Sequence, residues 1–539
     1  MKTISSDISD INKQSVSAVK WSAFGSIAQY GLSIGAQIVL ARMLGPENYG
    51  LFAMGTIVLS FSSFFSNFGF AWGLIQIQDL VEEDIRFVFT WQLIAGVMVA
   101  TGLYLLSPFV ASYFNEPRVA PIVCWLSLAC VFSAITAPAS NLLRRNLDFR
   151  WINIIQIISY SIGYLGIGIP LAYQGAGVWS LVAAWLTQSF IMLVITFIRH
   201  PHSIKPLFWY SGAKIISGVG FTVFVTNVCN WFLNNMDRIF LGRFFDSHAV
   251  GLYTVGYNLS NTPNNLLIGA LQPAFFTAGA RLQSEPDRLR RIYLPVIATV
   301  WILITPLFVL FSIIAQNLVG LLYGSAWESS AMVLAILALS MPAYITWAIS
   351  TPILWNTGRK HFESLLQLPI LAIAGYAFYS FANKGIVMVA LIAAGFFFTR
   401  AVVITTAACR QLCISAIDLF PFAVRGIVMM CLTAASTFCG IKLGVLASIY
   451  IGAKLNLITF TFAGINIRFI AATATTHLLP LLGGGFLGMI VLLATVLIFP
   501  RLLGDEVIGM LGRFSPRLSQ TFGDNAKPGS KKLVVLGND

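Results

Sequence analysis

Leu40-Ala41-Arg42-Met43-Leu44-Gly45-Pro46-Glu47-Asn48-Tyr49-Gly50-Leu51-Phe52 lies between two long apolar runs, and 201 residues later the chain writes it again in outline. The second copy reads Leu241-Gly242-Arg243-Phe244-Phe245 and then Val250-Gly251-Leu252-Tyr253. A looser echo links Pro138 through Phe149 with Pro352 through Phe362, and each of these carries a basic pair, Arg144-Arg145 or Arg359-Lys360. The chain therefore reads as two copies of one unit in the same orientation. Parallel six-span repeats are a recurring transporter plan, with the pathway between the halves.

Working outward from that stretch, apolar runs of crossing length recur near 19–41, 50–75, 87–110, 119–142, 152–173, 177–198, 213–236, 249–272, 292–315, 329–354, 364–382, 385–408, 419–441 and 475–499. A bilayer core about 30 Å thick takes about 20 apolar residues per helical crossing. The chain is 57% hydrophobic and only 10% charged, against about a quarter charged in soluble domains. The expectation is an all-α polytopic membrane protein of about fourteen transmembrane helices, in two six-helix lobes related by the repeat, plus two C-terminal helices. Its parts are a cytoplasmic tail 1–18, an N-lobe 19–200 (spans 1–6), a C-lobe 201–410 (spans 7–12), spans 13–14 within 411–500 and a cytoplasmic tail 501–539. The stretch 443–470, apolar but carrying Lys454 and Arg468, reads as re-entrant, interfacial or a further span.

The net charge of +13 belongs to this topology. No basic patch with interleaved aromatics appears, which argues against nucleic acid as a partner. Tallied by span edges, 25 of the 33 Lys and Arg fall on the side of the N-terminus and 8 on the other. The positive-inside rule then places both termini in the cytoplasm. The inner loop with Asp79, Glu82, Glu83 and Asp84 is the exception. Outer loops are too short for an external catalytic domain. The seven cysteines show no Cys-x-x-Cys pair and read as small hydrophobes.

Polar side chains fall in register. Ser22, Ser26, Gln29, Ser33 and Gln37 share one face of span 1, and adding 201 to the last four gives Asn227, Asn230, Asn234 and Arg238. Ser60 and Ser63 of span 2 correspond in the same way to Asn261 and Asn264 of span 8. Such stripes form interhelical hydrogen bonds, worth about 0.6 kcal/mol each, or line a hydrated cavity. Running the length of a span twice and ending in arginine fits the cavity better.

Arg42, Asp237, Arg238 and Arg243 fall at the outer ends of spans 1 and 7. They either snorkel or pair to orient the spans, or they form a cationic wall for an anionic ligand, for which guanidinium offers bidentate bonding to phosphate oxygens. Arg144, Arg145, Arg359 and Lys360 form an inner basic rim, as topology determinants or as part of the same path. There is no Gly-x-x-x-x-Gly-Lys-Ser/Thr loop and no His-Glu-x-x-His in the sequence, and Gly31-Leu32-Ser33-Ile34-Gly35 lies inside an apolar span, where it makes no strand-to-helix nucleophile elbow. No ATP motor, metal, cofactor or enzymatic activity is expected. Spans 1, 2, 7 and 8 hold no acidic residue in their middles.

Leu40 through Leu51, then Asn234-Asn235-Met236-Asp237-Arg238 with Gly251-Leu252-Tyr253, then Gln272-Pro273 and Arg281-Leu282-Gln283, together resemble the bacterial polysaccharide-transport flippases. These belong to the multidrug/oligosaccharidyl-lipid/polysaccharide exporter superfamily, and the resemblance spans roughly residues 15 to 440. It implies two six-helix lobes around a central cavity. It also implies alternating-access translocation of undecaprenyl-pyrophosphate-linked glycan units from the cytoplasmic to the periplasmic leaflet of the bacterial inner membrane. Lipid-linked glycan and membrane lipids are then the partners, with polysaccharide polymerase and export machinery beside them. The physics agrees: each unpaired hydroxyl costs several kcal/mol in hydrocarbon, so a glycan head needs a polar route while its polyprenyl tail stays in lipid. The alternatives are a cation-coupled multidrug exporter of the same superfamily, which would want an embedded acid in span 1, and a membrane polymerase or ligase, which would want a large outer loop.

Overall fold

A computed structural model describes residues 2–66, 74, 80–146, 148–210, 220–283, 285–356, 360–455, 474–499, 502–504 and 506–508. Among them no strand occurs. The helices are α1 (Lys2–Ser66), α2 (Glu82–Phe114), α3 (Val119–Leu126), α4 (Leu128–Arg145), α5 (Phe149–Tyr160), α6 (Ile169–Tyr173), α7 (Val178–Arg199), α8 (Gly220–Phe244) and α9 (Ser247–Arg281). They continue as α10 (Pro286–Thr299), α11 (Thr305–Ile313), α12 (Ala315–Tyr323), α13 (Ser329–Asn356), α14 (Lys360–Phe381), α15 (Ile386–Gln411), α16 (Ala416–Leu455) and α17 (Leu479–Ile498). π-helical segments join α5 to α6 (Ser161–Gly168) and α10 to α11 (Val300–Ile304), and one precedes α17 (Ala474–Leu478).

Among the described residues, eleven helical stretches are long and apolar enough to cross a membrane. Large apolar side chains cover their outer faces: Phe109 is 73% exposed, Tyr376 72% and Phe486 71%. Water would make such a surface aggregate, whereas hydrocarbon accommodates it. The chain is a multi-pass membrane protein. Expected spans 1 (19–41) and 2 (50–75) both overlap one of the eleven stretches, Ile27–Ser63, and α8 and α9 are helical at expected spans 7 and 8 without being among the eleven. The expected span 13 is longer than its apolar core suggested, because α16 runs on to Leu455. The first part of 443–470 is thus a continuation of that helix, and 456–473 lie outside the described residues.

The chain divides into two compact units. The first comprises Met1–Val255, Tyr323–Trp327 and Gly375–Val389. Its organising feature is a break in α1. Gly45 adopts φ 72°, ψ 171°, a region closed to residues with a Cβ, and Pro46 has no amide with which to continue the helix. Limbs 2–44 and 46–66 result. Asn48, just past the break, donates from Nδ2 to the Leu44 carbonyl at 2.9 Å and accepts at Oδ1 from the Val178 N–H at 3.1 Å. It thereby satisfies one of the orphan donors that open α7.

The two copies of the repeat touch inside this unit. A Cβ on Gly50 would lie 1.7 Å from the Ser247 carbonyl oxygen, and a Cβ on Gly251 would lie 1.9 Å from that of Pro46. Ser247 and Gly251 are the 201-residue images of Pro46 and Gly50. The acidic run 82–84 also finds its reason here. Glu82, Glu83 and Asp84 occupy the first turn of α2, where the helix dipole favours negative charge. Asp84 accepts from the Val81 N–H at 2.9 Å and from the Tyr210 hydroxyl.

The second unit comprises Gly256–Leu322, Glu328–Ala374 and Ala390–Asp539. One of its cores joins Ala298 and Ile302 to Phe422 and Met429 of α16, Leu492 of α17, and Leu503 and Val507 beyond α17. Another joins Ala343, Trp347, Ala348 and Leu354 of α13 to Ala401, Ile404 and Ala407 of α15.

Candidate functional site

In the first unit the polar face of α1 is real and half-buried: Gln29, Ser33 and Gln37 lie on it, and Gln37 Nε2 donates to Ser33 Oγ at 3.3 Å. Ala36 and Leu40 on the same face are buried, and the opposite face, with Ile27, Gly31 and Gly35, is exposed. Tyr160 donates its hydroxyl to the Ser33 carbonyl at 3.4 Å and stacks on Tyr164 with ring centroids 4.4 Å apart. Ser22 and Ser26 fall outside the described side chains, as does Asn227.

The Asn234-Asn235-Met236-Asp237-Arg238 signature folds into one network with Tyr253. Asp237, 4% exposed, accepts from the Tyr253 hydroxyl at 2.6 Å and from the Arg238 backbone N–H at 2.8 Å. Arg238 Nε stands 3.9 Å from Asp237 Oδ1, while its Nη2 donates to Asn235 Oδ1 at 2.6 Å and to the Asn234 carbonyl at 3.3 Å. The two halves of the signature are therefore joined by one hydrogen bond across α8 and α9. A buried carboxylate needs such donors, since leaving one unsatisfied costs well over 1–3 kcal/mol. The second limb of α1 reaches the same helix: Trp231 Nε1 donates to Ser60 Oγ at 3.0 Å, and Phe61 packs on Trp231 at 4.7 Å. Asn230 and Asn234 are half-buried.

Arg243 takes a different place. Its Nη1 donates to the carbonyls of Ser112 (3.3 Å) and Tyr113 (2.7 Å) and to Asn115 Oδ1 (3.1 Å), and its guanidinium lies 5.6 Å from the Tyr113 ring centroid. It caps the C-terminus of α2, where a cation meets the negative end of the helix dipole. Arg42 is exposed. Arg145 Nη1 donates to the Leu74 carbonyl at 2.8 Å and Arg144 is exposed. Arg359 and the Lys360 side chain lie outside the described residues.

In the second unit Asn261 is half-buried and Asn264 fully buried, with Asn264 Nδ2 donating to Asn261 Oδ1 at 2.9 Å. This unit also holds a group that sequence reasoning missed. Arg400, 1% exposed, lies within the crossing stretch Ile386–Gln411 with its guanidinium carbon 3.4 Å from the Trp347 ring centroid. The charge tally had counted it as an inner-loop cation. Glu363, fully buried, accepts from Thr351 Oγ1 at 3.2 Å, from Gln367 Nε2 at 2.7 Å and from Trp355 Nε1. The signal available in the sequence was a lone arginine inside an otherwise apolar run, a placement that costs about 2.5–3.5 kcal/mol on insertion scales. Among the described residues no group of three or more His, Cys, Asp or Glu is arranged to hold a metal.

Helices with apolar exteriors, polar faces and a few buried, hydrogen-bonded charges define a polytopic membrane protein of transporter architecture. The chain belongs to the polysaccharide biosynthesis protein family, whose sequence profile matches residues 39–332. It is 23% identical over 335 residues to the lipopolysaccharide biosynthesis protein WzxC of Escherichia coli (strain K12), covering 61% of this chain and 67% of that protein. It is 23% identical over 341 residues to the succinoglycan biosynthesis transport protein ExoT of Rhizobium meliloti (strain 1021), covering 63% and 69%. The lipid II flippase MurJ, in an inward closed conformation, superposes with a TM-score of 0.65 over 89% of this chain and 98% of its own, at 13% identity. An inward-facing multidrug resistance MATE family transporter of the MOP superfamily gives 0.56 over 72% and 98%, at 15% identity. At these identities the structural likeness is one of fold, and it is the fold the sequence motifs led one to expect.

Proposed function

We propose that this protein moves undecaprenyl-pyrophosphate-linked oligosaccharide units across the bacterial inner membrane by alternating access, for synthesis of a cell-surface polysaccharide. The family match over residues 39–332 carries this reading, because relatives in it are named for surface-polysaccharide synthesis and, in ExoT, for transport. The half-buried Gln29, Ser33 and Gln37 and the Asn230, Asn234 and Arg238 row supply hydrogen bonds for a glycan head. Arg42 and Arg238 supply charge for its diphosphate. Arg243, Asp237, Asn261, Asn264 and the inner rim of Arg144, Arg145, Arg359 and Lys360 complete the proposed path. In this reading the protein performs no bond chemistry, crosses fourteen times with both termini cytoplasmic, and hands its cargo to a polymerase and export machinery. The halves are the lobes 19–200 and 201–410.

The test is a chromosomal deletion complemented by the plasmid-borne gene. Loss of surface glycan with accumulation of lipid-linked units in the inner leaflet, both reversed by complementation, is the expected result. Normal surface glycan in the deletion strain sinks the proposal.

A further inference from the structure

The first compact unit does not stop at the repeat boundary near residue 200. It takes from the second copy 201–255, Tyr323–Trp327 and Gly375–Val389, which hold the α8–α9, α12–α13 and α14–α15 turns. Two crossing stretches, Ser329–Asn356 and Leu365–Lys384, separate the last two of these turns, so both lie on one side of the membrane. The α2–α3 and α6–α7 turns of the first copy are separated in the same way, by Val119–Arg145 and Phe149–Tyr173. Contacts join the two sets. Asn48 bonds to the α7 amide of Val178, and its neighbour Tyr49 meets Trp327 edge-on with centroids 5.9 Å apart. Arg243 donates to the end of α2, and a Cβ on Gly242 would stand 2.6 Å from the Phe114 ring. Within this unit the turns of both copies are gathered and shut at one face.

What crosses that seam can be undone. Inside the second copy, a buried hydrogen bond from Tyr253 to Asp237 ties α9 to α8. Between the copies, Gly50 and Gly251 meet backbone to backbone, which leaves no side chain to interlock at that point. Arg243 is exposed, and so are Ser112, Tyr113 and Asn115, which carry its acceptors. Water can therefore satisfy the carbonyls of the α2 terminus when the guanidinium leaves.

We propose that this seam is a gate and that Arg243 is its latch, holding the two copies together at this face until the protein opens there. This rests on the reading of the protein as an alternating-access carrier, whose halves rock against each other around the cargo. The competing explanation is that Arg243 is a static cap on α2.

The test has two arms. Val250, fully buried beside Gly251, becomes a reporter as Val250→Cys in the purified full chain, labelled with N-ethylmaleimide against the background of the native cysteines. Adding Arg243→Ala is expected to raise the labelling rate about tenfold, the shift that loss of a hydrogen bond to a charged group brings to a two-state equilibrium. Arg243→Lys should stay near the parent rate, since one nitrogen carries the cap. A folded Arg243→Ala protein with a lower Tm and unchanged labelling is a capped helix and no gate, and overturns the proposal. In the second arm, Gly242→Cys with Phe114→Cys puts a thiol pair across the seam, the lost ring making room for the new side chain. Oxidation should stop surface-glycan export in complemented cells and reduction should restore it, whereas a bridged protein that exports like its reduced form overturns the proposal. Where the pair is inactive when reduced or fails to bridge, the labelling arm decides. The function reading fails on a different result, a deletion strain with normal surface glycan, so the two failures are distinguishable.

Discussion

Gly50 and Gly251 meet at a crossing where neither tolerates a side chain: a Cβ on Gly50 would lie 2.8 Å from the Gly251 amide nitrogen, and one on Gly251 would lie 3.1 Å from that of Gly50. The contact is reciprocal, as in a two-fold interface, and it joins repeat-equivalent backbone. Gly50→Ala and Gly251→Ala are each expected to cost about 1–3 kcal/mol or more by overpacking. Together they should cost less than their sum, because one displacement of α1 from α9 relieves both. Gly31→Ala, with nothing within 4 Å of its Cβ, should be neutral or slightly stabilising. Thermal unfolding in detergent measures all four, and an equal loss at Gly31 would remove the crossing from consideration.

Tyr253→Phe removes the donor to buried Asp237. A loss of about 1.5–3 kcal/mol is expected, the worth of a hydrogen bond to a charged group. Adding Asp237→Asn should recover part of it, since the amide no longer has a charge to satisfy. A Tyr253→Phe protein as stable as the parent would contradict the role assigned to that bond.

Arg42, Arg238 and Arg243 separate by their surroundings. Arg243→Lys should keep most of the parent's stability, because the cap on α2 rests on a single nitrogen. Arg238→Lys should lose export at normal abundance, since a lysine reaches Asn235 or a ligand with one donor group where the fork serves two. Arg42→Ala should lose export without loss of stability. If lysine replaces both Arg42 and Arg238 fully, they are interface anchors.

Orientation is open to labelling. Cysteines at Glu328 and Lys384 should react with an impermeant thiol reagent applied from outside intact cells, while those at Arg145, Arg288 and Lys360 should react only after permeabilisation. The reverse pattern inverts the topology.

Outside the membrane, Arg118 bridges Glu47 at 2.7 Å and Glu116 at 2.8 Å. Its hydrogen bonds hold the Glu116 carboxyl below the usual range. A carboxylate so depressed contributes stability above the ordinary value, about pH 4.3, and loses it as pH falls through the folded-state value. Arg118→Gln should therefore lower the Tm slightly at pH 7, on the order of 0.2–1 kcal/mol for so exposed a pair. The gap to the parent should close below about pH 4. A gap that persists or widens in acid would point to lost packing instead.

Much of this was written in the sequence where the physics is local. Apolar runs set the helices, and Gly45-Pro46 marked the break because the dipeptide's own dihedrals require one. The glycine crossing could have been foreseen from the register alone, since both copies carry Gly at the same place. The Arg243 cap was not legible, because its acceptors at Ser112 and Tyr113 are backbone atoms distant in the chain. Arg400 and Glu363 escaped for another reason. A tally that sorts cations by loop takes a buried arginine for a loop residue, and only the packing of α13, α14 and α15 shows it enclosed.

Leu503 and Val507 complete a core begun by Ala298 and Ile302. The ribosome makes those partners roughly 200 residues apart, or about 10–40 s at about 5–20 residues per second. Through that interval the nascent second unit must wait with an unfilled seam beside Phe422 and Met429. A premature stop just after Ile498 would make the wait permanent. Such a chain would have inserted every described crossing and still present quality-control proteases with an unfinished protein.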